Sequence, residues 1–209
     1  MTTPTTAPAT GTSADPLETA LRGYAAPRVQ PPVLVDGDVS YVVDDTTVGR
    51  MLLAARPDGT ALAAYFTPTE ADVDRVLGRL AATVSPRVLR LGRGLDPLRR
   101  ELDEFLAGRL QSFTVPVDLA LAAPFQRDVL THLRAVGYGK RTTYGALART
   151  TGRPTASRAV GAALGSNPLC IVLPCHRVVA ASGSLTGYAG GLEVKRRLLD
   201  LESGHLPLP

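Results

Sequence analysis

The residues able to do chemistry are few. Cysteine occurs at Cys170 and Cys175, and histidine at His132, His176 and His205. Cys175 and His176 lie in Ile171-Val172-Leu173-Pro174-Cys175-His176-Arg177-Val178-Val179, an apolar, strand-like run interrupted by Pro-Cys-His-Arg. This places a thiol at the edge of a core, shielded from water. An ordinary thiol has a pKa of about 8.5 and is only a few per cent thiolate at neutral pH, so a nucleophile here needs a group to take its proton. In a regular strand, neighbouring side chains point to opposite faces. A direct Cys175–His176 bond is therefore not expected, but a water bridging across a kink at Pro174 would serve. Glu202, on a final helix, could hold the imidazole in its basic tautomer.

Taken alone, a Cys-His dipeptide also reads as a buried apolar thiol beside a structural histidine. A cysteine hydrolase would need an oxyanion hole and a spatial Cys–His pair, and no local signature of one occurs. The absence of G-x-S-x-G disfavours a serine hydrolase. The absence of G-x-x-x-x-G-K-[ST] and G-x-G-x-x-G disfavours a nucleotide site. Nothing reads as a site for a methyl-donor cofactor, so no cofactor is expected. Without C-x-x-C or H-x-x-x-H spacing, two cysteines and three scattered histidines make a poor metal site.

Elements to position these residues can be read from periodicity. Residues 1–32 are rich in Thr, Pro, Ala and Gly and read as a loose tail. Residues 33–121 read as a small antiparallel sheet with helices, given a structural role. Strands are expected at 39–43, 50–55 and 61–66, with a turn at Pro57-Asp58-Gly59 between the last two. Glu70 to Thr83 has helical spacing, with Val73, Val76, Leu77 and Leu80 on one face and Thr69 as cap. Leu98 to Leu106 repeats that period. Residues 122–205 read as mostly helical, with helices at 124–136, 144–150 and 156–164. The last two are joined by Thr151-Gly152-Arg153-Pro154, a candidate helix-turn-helix. The second is small-sided apart from Arg158, which suits either close helix packing or close approach to nucleic acid. The fold class is α+β.

Charge is unevenly distributed. From Pro124 onward there are 11 Lys/Arg and 4 Asp/Glu, a balance of +7; the preceding residues carry 12 and 15, or −3, and the two sum to the overall +4. A basic half beside a mildly acidic one suits a polyanionic partner or an ordinary solvated surface. No apolar run is long enough to span a membrane, and the N-terminus lacks a secretory signal. A cytoplasmic protein with free thiols is the expectation.

Pro174-Cys175-His176-Arg177-Val178 resembles the active-site signature of the O6-alkylguanine-DNA alkyltransferases. The similarity extends through Phe125-Gln126-Arg127, Tyr138-Gly139, Thr143-Tyr144-Gly145, Leu147-Ala148, Arg158-Ala159-Val160-Gly161 and Gly165-Ser166-Asn167-Pro168. It continues through Ser182-Gly183, Gly187-Tyr188, Gly190-Gly191-Leu192, Lys195 and Leu198-Leu199 to Glu202. The resemblance implies single-use transfer of an alkyl group from O6-alkylguanine, or O4-alkylthymine, in double-stranded DNA to Cys175 of a monomer. His176, through a water, and Glu202 would activate the thiol, and Asn167 would hold the turn. Tyr144 would donate to the guanine oxygen and crowd the neighbouring phosphate. Arg158 would fill the gap left by the extruded base. Gln126, Gly145, Ala159 and Gly161 would lie at the DNA, with the small-sided helix in the minor groove. Val178, Tyr188 and Ala189 would line the base pocket.

The sequence departs from the family pattern at Thr131, where relatives often carry Trp, and at Ala189, where some carry Ser. It also lacks the zinc ligands that some relatives carry near the N-terminus. Two rivals remain. Alkyltransferase-like lesion binders lack the acceptor cysteine, which is present here. An unrelated cysteine enzyme would turn over.

Overall fold

The computed structural model describes residues 37–204. The expected tail at 1–32, the start of the sheet region at 33–36, and His205 lie outside the described residues. The sheet comprises β1 (Val39–Thr46), β2 (Gly49–Ala55), β3 (Ala61–Phe66) and a short β4 (Val88–Arg90), in the order β3-β2-β1-β4. β1 and β2 pair antiparallel, as do β2 and β3. β4 pairs parallel with β1, Val39 opposite Val88, so the expected antiparallel sheet gains one parallel edge strand. Three residues are too few to show a period, which is why β4 was not legible. Between β2 and β3, the Asp58 carboxylate accepts from Thr60 N at 2.9 Å and Gly59 takes φ 87°. That left-handed turn requires glycine at little cost.

β2 is buried on both faces, which explains its unbroken apolar run Met51-Leu52-Leu53-Ala54-Ala55. Leu52 and Ala54 pack with Val73, Val76 and Leu80 of α1 (Glu70–Thr83). Thr69 and Asp72 close that helix's N-terminus with a reciprocal capping box. Leu77, expected on the apolar face, is half-buried at its margin. The opposite sheet face carries Met51, Leu53, Ala61 and Ala64. It packs with Leu98, Leu102 and Phe105 of α2 (Asp96–Leu106), and the same core takes in Val129, Leu130, Leu147, Val160 and Leu198. Residues on either side of the expected 121/122 boundary thus share one core.

After the sheet come α3 (Pro124–Leu133), β5 (Thr142–Thr143), α4 (Tyr144–Thr150), α5 (Ser157–Gly165), a 3₁₀ turn (Cys175–Arg177), β6 (Val178–Val179) and α6 (Gly191–Glu202). α3 stops three residues short of the expected Val136. Ala135 N and Val136 N instead bond back to His132 O and Leu133 O, a tightening into i→i+3 turns that apolar periodicity does not register. α5 is shifted by one residue at each end from the expected 156–164. α4 and α5 pack on one another and on α3. β3 links the halves directly: Ala64 N donates to Pro168 O and Cys170 N donates to Ala64 O. The segment leading to Cys175 is therefore laid against the edge of the sheet.

Candidate functional site: a buried thiol beside an open groove

The expected strand at 171–179 does not form, and only Val178 and Val179 are extended, pairing parallel with Thr142 and Thr143. Two local features bend the run. Ile171 adopts φ 72°, a costly conformation for a β-branched residue that persists only where surrounding contacts impose it. Pro174, at φ −79° and ψ 60°, forms an inverse γ-turn in which Cys175 N donates to Leu173 O at 2.8 Å. Cys175, His176 and Arg177 then occupy a 3₁₀ turn. The argument from alternating strand faces therefore does not apply to Cys175 and His176.

Asn167, expected to hold this turn, is 1% exposed. Its Oδ1 accepts from Leu169 N at 3.0 Å, while Nδ2 faces Leu173 O at 3.0 Å and Cys175 Sγ at 3.2 Å. One amide thus fixes the loop and presents a donor to the sulfur. The Cys175 thiol is held below its usual value. A hydrogen bond from Cys170 is the largest influence; burial opposes it, and Asn167 and the Lys195 charge assist.

Beside it, His176 is fully buried. Its Nε2 lies 2.8 Å from Glu202 Oε1, while Nδ1 has no protein partner. Burial holds the imidazole below its ordinary value, outweighing the pull of Glu202. Burial pushes the Glu202 carboxyl up, but hydrogen bonds and charge from His176 and Arg177 more than offset this and hold it below the usual range. Glu202 therefore accepts from Nε2–H, leaving the Nδ1 lone pair as a base. The carboxylate also accepts from Arg177 Nε at 2.9 Å and from Gly139 N at 3.1 Å, so its charge is balanced without protonating His176.

Nearby, a groove of about 600 Å³ is lined by Tyr144, Arg158, Gly161, Thr186, Tyr188 and Ala189, among others. Tyr144 and Thr186 share a hydrogen bond of 2.8 Å between hydroxyls. Tyr144 also lies against the space a Cβ at Gly161 would take, 3.7 Å from its ring. Tyr188 is braced edge-on by Phe66 of β3, with ring centroids 5.7 Å apart, and its buried hydroxyl has no partner. Gly190 admits the same Phe66 ring, since a Cβ there would meet its atoms at 2.8 Å. Val178, expected to line the pocket, is fully buried behind the groove, and its carbonyl accepts from Lys195 Nζ at 2.6 Å.

Arg158 and Ala159 are exposed on the first turn of α5, and Gly145 and Gly161 are half-buried. Gln126, expected at the DNA, is corrected to a structural role. It is buried, and Nε2 donates to Ala163 O at 2.9 Å and Ser166 O at 2.8 Å, tying α3 to the end of α5. Lys140, Arg141, Arg149, Arg153 and Arg158 are exposed on the same stretch, and residues 129–192 contain no Asp or Glu.

Two site residues had no assigned role in the sequence reading. Arg177 locks Glu202 and also donates to Val136 O. Lys195 is fully buried, and Nζ joins Val178 O to Thr186 O on the groove-lining loop. Its signal was present: Lys195 shares a helical face with Leu198, Leu199 and Glu202, where a charge requires buried partners.

Residues 124–204 match the family model described as the DNA-binding domain of 6-O-methylguanine DNA methyltransferase. A methylated-DNA--protein-cysteine methyltransferase of Methanosarcina acetivorans is 48% identical over 162 residues, covering 78% of this chain and 97% of that protein. The inducible methylated-DNA--protein-cysteine methyltransferase of Bacillus subtilis is 47% identical over 108 residues, covering 52% of this chain and 60% of that protein. A relative from Mycolicibacterium paratuberculosis is matched over 64% of its length, so the chain spans under two thirds of these last two. The crystal structure of Mycobacterium tuberculosis OGT in complex with DNA superposes with a TM-score of 0.66 at 34% identity, covering 80% of this chain and 95% of that one. A buried cysteine beside a basic helical face, in a chain that covers a 48%-identical relative almost end to end, leads to one assignment: the chain belongs to the methylated-DNA--protein-cysteine methyltransferase family.

Proposed function

We propose that this protein repairs O6-alkylguanine in double-stranded DNA by moving the alkyl group to Cys175 Sγ, once per molecule. The observation that carries this reading is a buried Cys175 sulfur 3.2 Å from the Asn167 amide donor and next to His176, whose Nε2 is held 2.8 Å from Glu202 and whose buried Nδ1 has no protein partner and is left for a bridging water. Through that water, Nδ1 takes the Cys175 proton. The thiolate attacks the alkyl carbon, the S–C bond forms as the O6–C bond breaks, and the purine leaves as an anion. The proton removed from the thiol finally resides on guanine N1, so the products are S-alkylcysteine and unmodified guanine. A thioether offers no easy return path, and the protein is consumed.

The O6 carbon of a stacked guanine is out of reach, so the base must leave the helix at a cost of a few kcal/mol. α4, the following turn and α5 form the helix-turn-helix that meets the minor groove, and the small face of α5 permits close approach. Arg158 occupies the vacated stack. The Tyr144 hydroxyl exchanges Thr186 for the base, and Tyr188 and Ala189 contact its ring. The carboxylate-free stretch 129–192 suits a phosphate-rich partner read with little base specificity. One chain carries every named group, which supports action as a monomer, and two free thiols suit the reducing cytoplasm.

The test is single-turnover transfer from a duplex carrying labelled O6-methylguanine. Wild type should accept one equivalent and stop, and Cys175→Ala should accept none while still binding DNA. Repeated turnover, or transfer by the alanine variant, would overturn the reading.

A further inference from the structure

A hydrogen bond between side chains joins two walls of the groove. The Tyr144 hydroxyl, from the start of α4, lies 2.8 Å from the hydroxyl of Thr186, on the loop that follows β6. Each partner is placed by contacts that do not involve its hydroxyl. Tyr144 follows the Thr143 cap, whose Oγ1 accepts from Ala146 N at 3.1 Å, and its ring lies beside Gly161. The Thr186 carbonyl accepts from Lys195 Nζ at 3.1 Å. The same Nζ donates at 2.6 Å to the carbonyl of Val178, the residue after the turn that carries Cys175. The two hydroxyls thus meet between fixed backbones, and what is free to change is the direction of each O–H.

We propose that Thr186 is a specificity-determining residue of the groove, whose hydroxyl competes with the O6 of an incoming base for the Tyr144 phenol. The inference rests on reading Tyr144 as the donor to that oxygen.

A phenol is the more acidic donor and an alcohol oxygen the better acceptor, so at rest Tyr144 donates to Thr186. The O6 of an O6-alkylguanine is an ether oxygen conjugated with the purine, a weaker acceptor than an alcohol, and it does not displace Thr186 in the first complex. Matters change as the S–C bond forms at Cys175 and the O6–C bond breaks. The bonding pair moves to O6, the oxygen becomes anionic, and a charge-assisted hydrogen bond is about twice as strong as a neutral one. Tyr144 then turns to O6, keeping its proton, while the half-buried Thr186 hydroxyl is satisfied by water. The Tyr144 bond is made where it speeds the chemistry, in the transition state. A base with no oxygen at this position, such as adenine, leaves the hydroxyl pair intact and gains nothing from Tyr144.

Second-order rate constants for transfer from a duplex carrying O6-methylguanine should be compared for wild type, Thr186→Val, Thr186→Ser, Tyr144→Phe and the double variant. Thr186→Val keeps the side-chain shape and removes the competitor, so transfer should be about two- to tenfold faster, the net worth of one hydrogen bond. Thr186→Ser should stay near wild type. In the Tyr144→Phe background, which has no hydroxyl to release, Thr186→Val should have no effect. Iodoacetamide alkylation of Cys175, which involves no O6, should proceed equally in wild type and Thr186→Val. Should Thr186→Val fail to fold, Thr186→Ala removes the same hydroxyl.

A Thr186→Val rate equal to wild type would overturn the proposal. A slower one would do so too, making Thr186 a support for Tyr144 instead of its competitor. The same gain in the Tyr144→Phe background, or a parallel gain with iodoacetamide, would assign the effect to packing and overturn it as well. Wild type that accepts no methyl group would count against the proposed function itself. Tyr144→Phe transferring as fast as wild type would leave that function standing and remove both hydroxyls from the step.

Discussion

The sheet region and the helical region bury different kinds of atoms. From Val39 to Leu106 the buried polar side chains are two hydroxyls, Ser40 and Thr67, and no charge is buried. From Pro124 onward the core takes in Gln126, Asn167, His176, Arg177, Lys195 and Glu202. The sheet region keeps its ion pairs outside: in Arg99–Asp44 the side chains are 44% and 28% exposed, against 8% and 1% in Arg177–Glu202. Burying charge is a poor route to stability, because desolvation offsets most of the attraction. The sheet half supplies a rigid apolar base, and the helical half accepts that desolvation so that a carboxylate, an imidazole and a sulfur hold fixed protonation states.

The sharpest break of that comparison is Glu202→Ala, which strands Arg177 and His176 without their partner. It should lower unfolding free energy by about 3–5 kcal/mol in urea titration and slow Cys175 alkylation. Leu80→Ala, at the centre of the α1–sheet contact, should cost about 2–5 kcal/mol and leave the alkylation rate per folded molecule unchanged. If Leu80→Ala alters thiol reactivity, the division between base and reactive centre fails. On the DNA face, Arg158→Ala should slow transfer from a duplex by roughly tenfold or more, as expected where flipping costs a few kcal/mol. Transfer from free O6-benzylguanine should be nearly unaffected. Equal losses on both substrates would remove Arg158 from the flipping step.

A smaller effect sharpens the contrast through pH. His176 is held below its ordinary value of 6.5, so its contribution is complete above pH 6.5 and is lost as pH falls through the lower folded value. Glu202 is held below 4.5, so its share is complete above that value and is lost on further acidification. Tm should therefore begin to fall just below pH 6.5 and fall again in the carboxylate range. His176→Gln should abolish the first decline. A first decline that survives in that variant would assign it to another group.

The first three strands, the β2–β3 hairpin and α1 were legible because each carries an apolar run, a period or a turn residue: Pro57-Asp58-Gly59 after β2, Thr69 before a helical stripe. Cys175, His176 and Glu202 were singled out from the residues and Asn167 through resemblance, and the structure brings all four together. The shape of the loop was not. An apolar run bounded by proline reads as strand whether or not one residue turns left-handed, and nothing in the letters marks Ile171 as that residue. Gln126 was placed at the DNA through resemblance alone, and only the fold shows its amide buried and donating to the end of α5. Lys195 acquires meaning only when α6 is seen against Val178 and the groove-lining loop.

The most direct measurement is intact-mass spectrometry of the purified protein before and after incubation with a duplex bearing O6-methylguanine, followed by peptide mapping. The account predicts a gain of one methyl group, confined to the peptide containing Cys175. An unchanged mass after long incubation, or a methyl group found on Cys170, would contradict it.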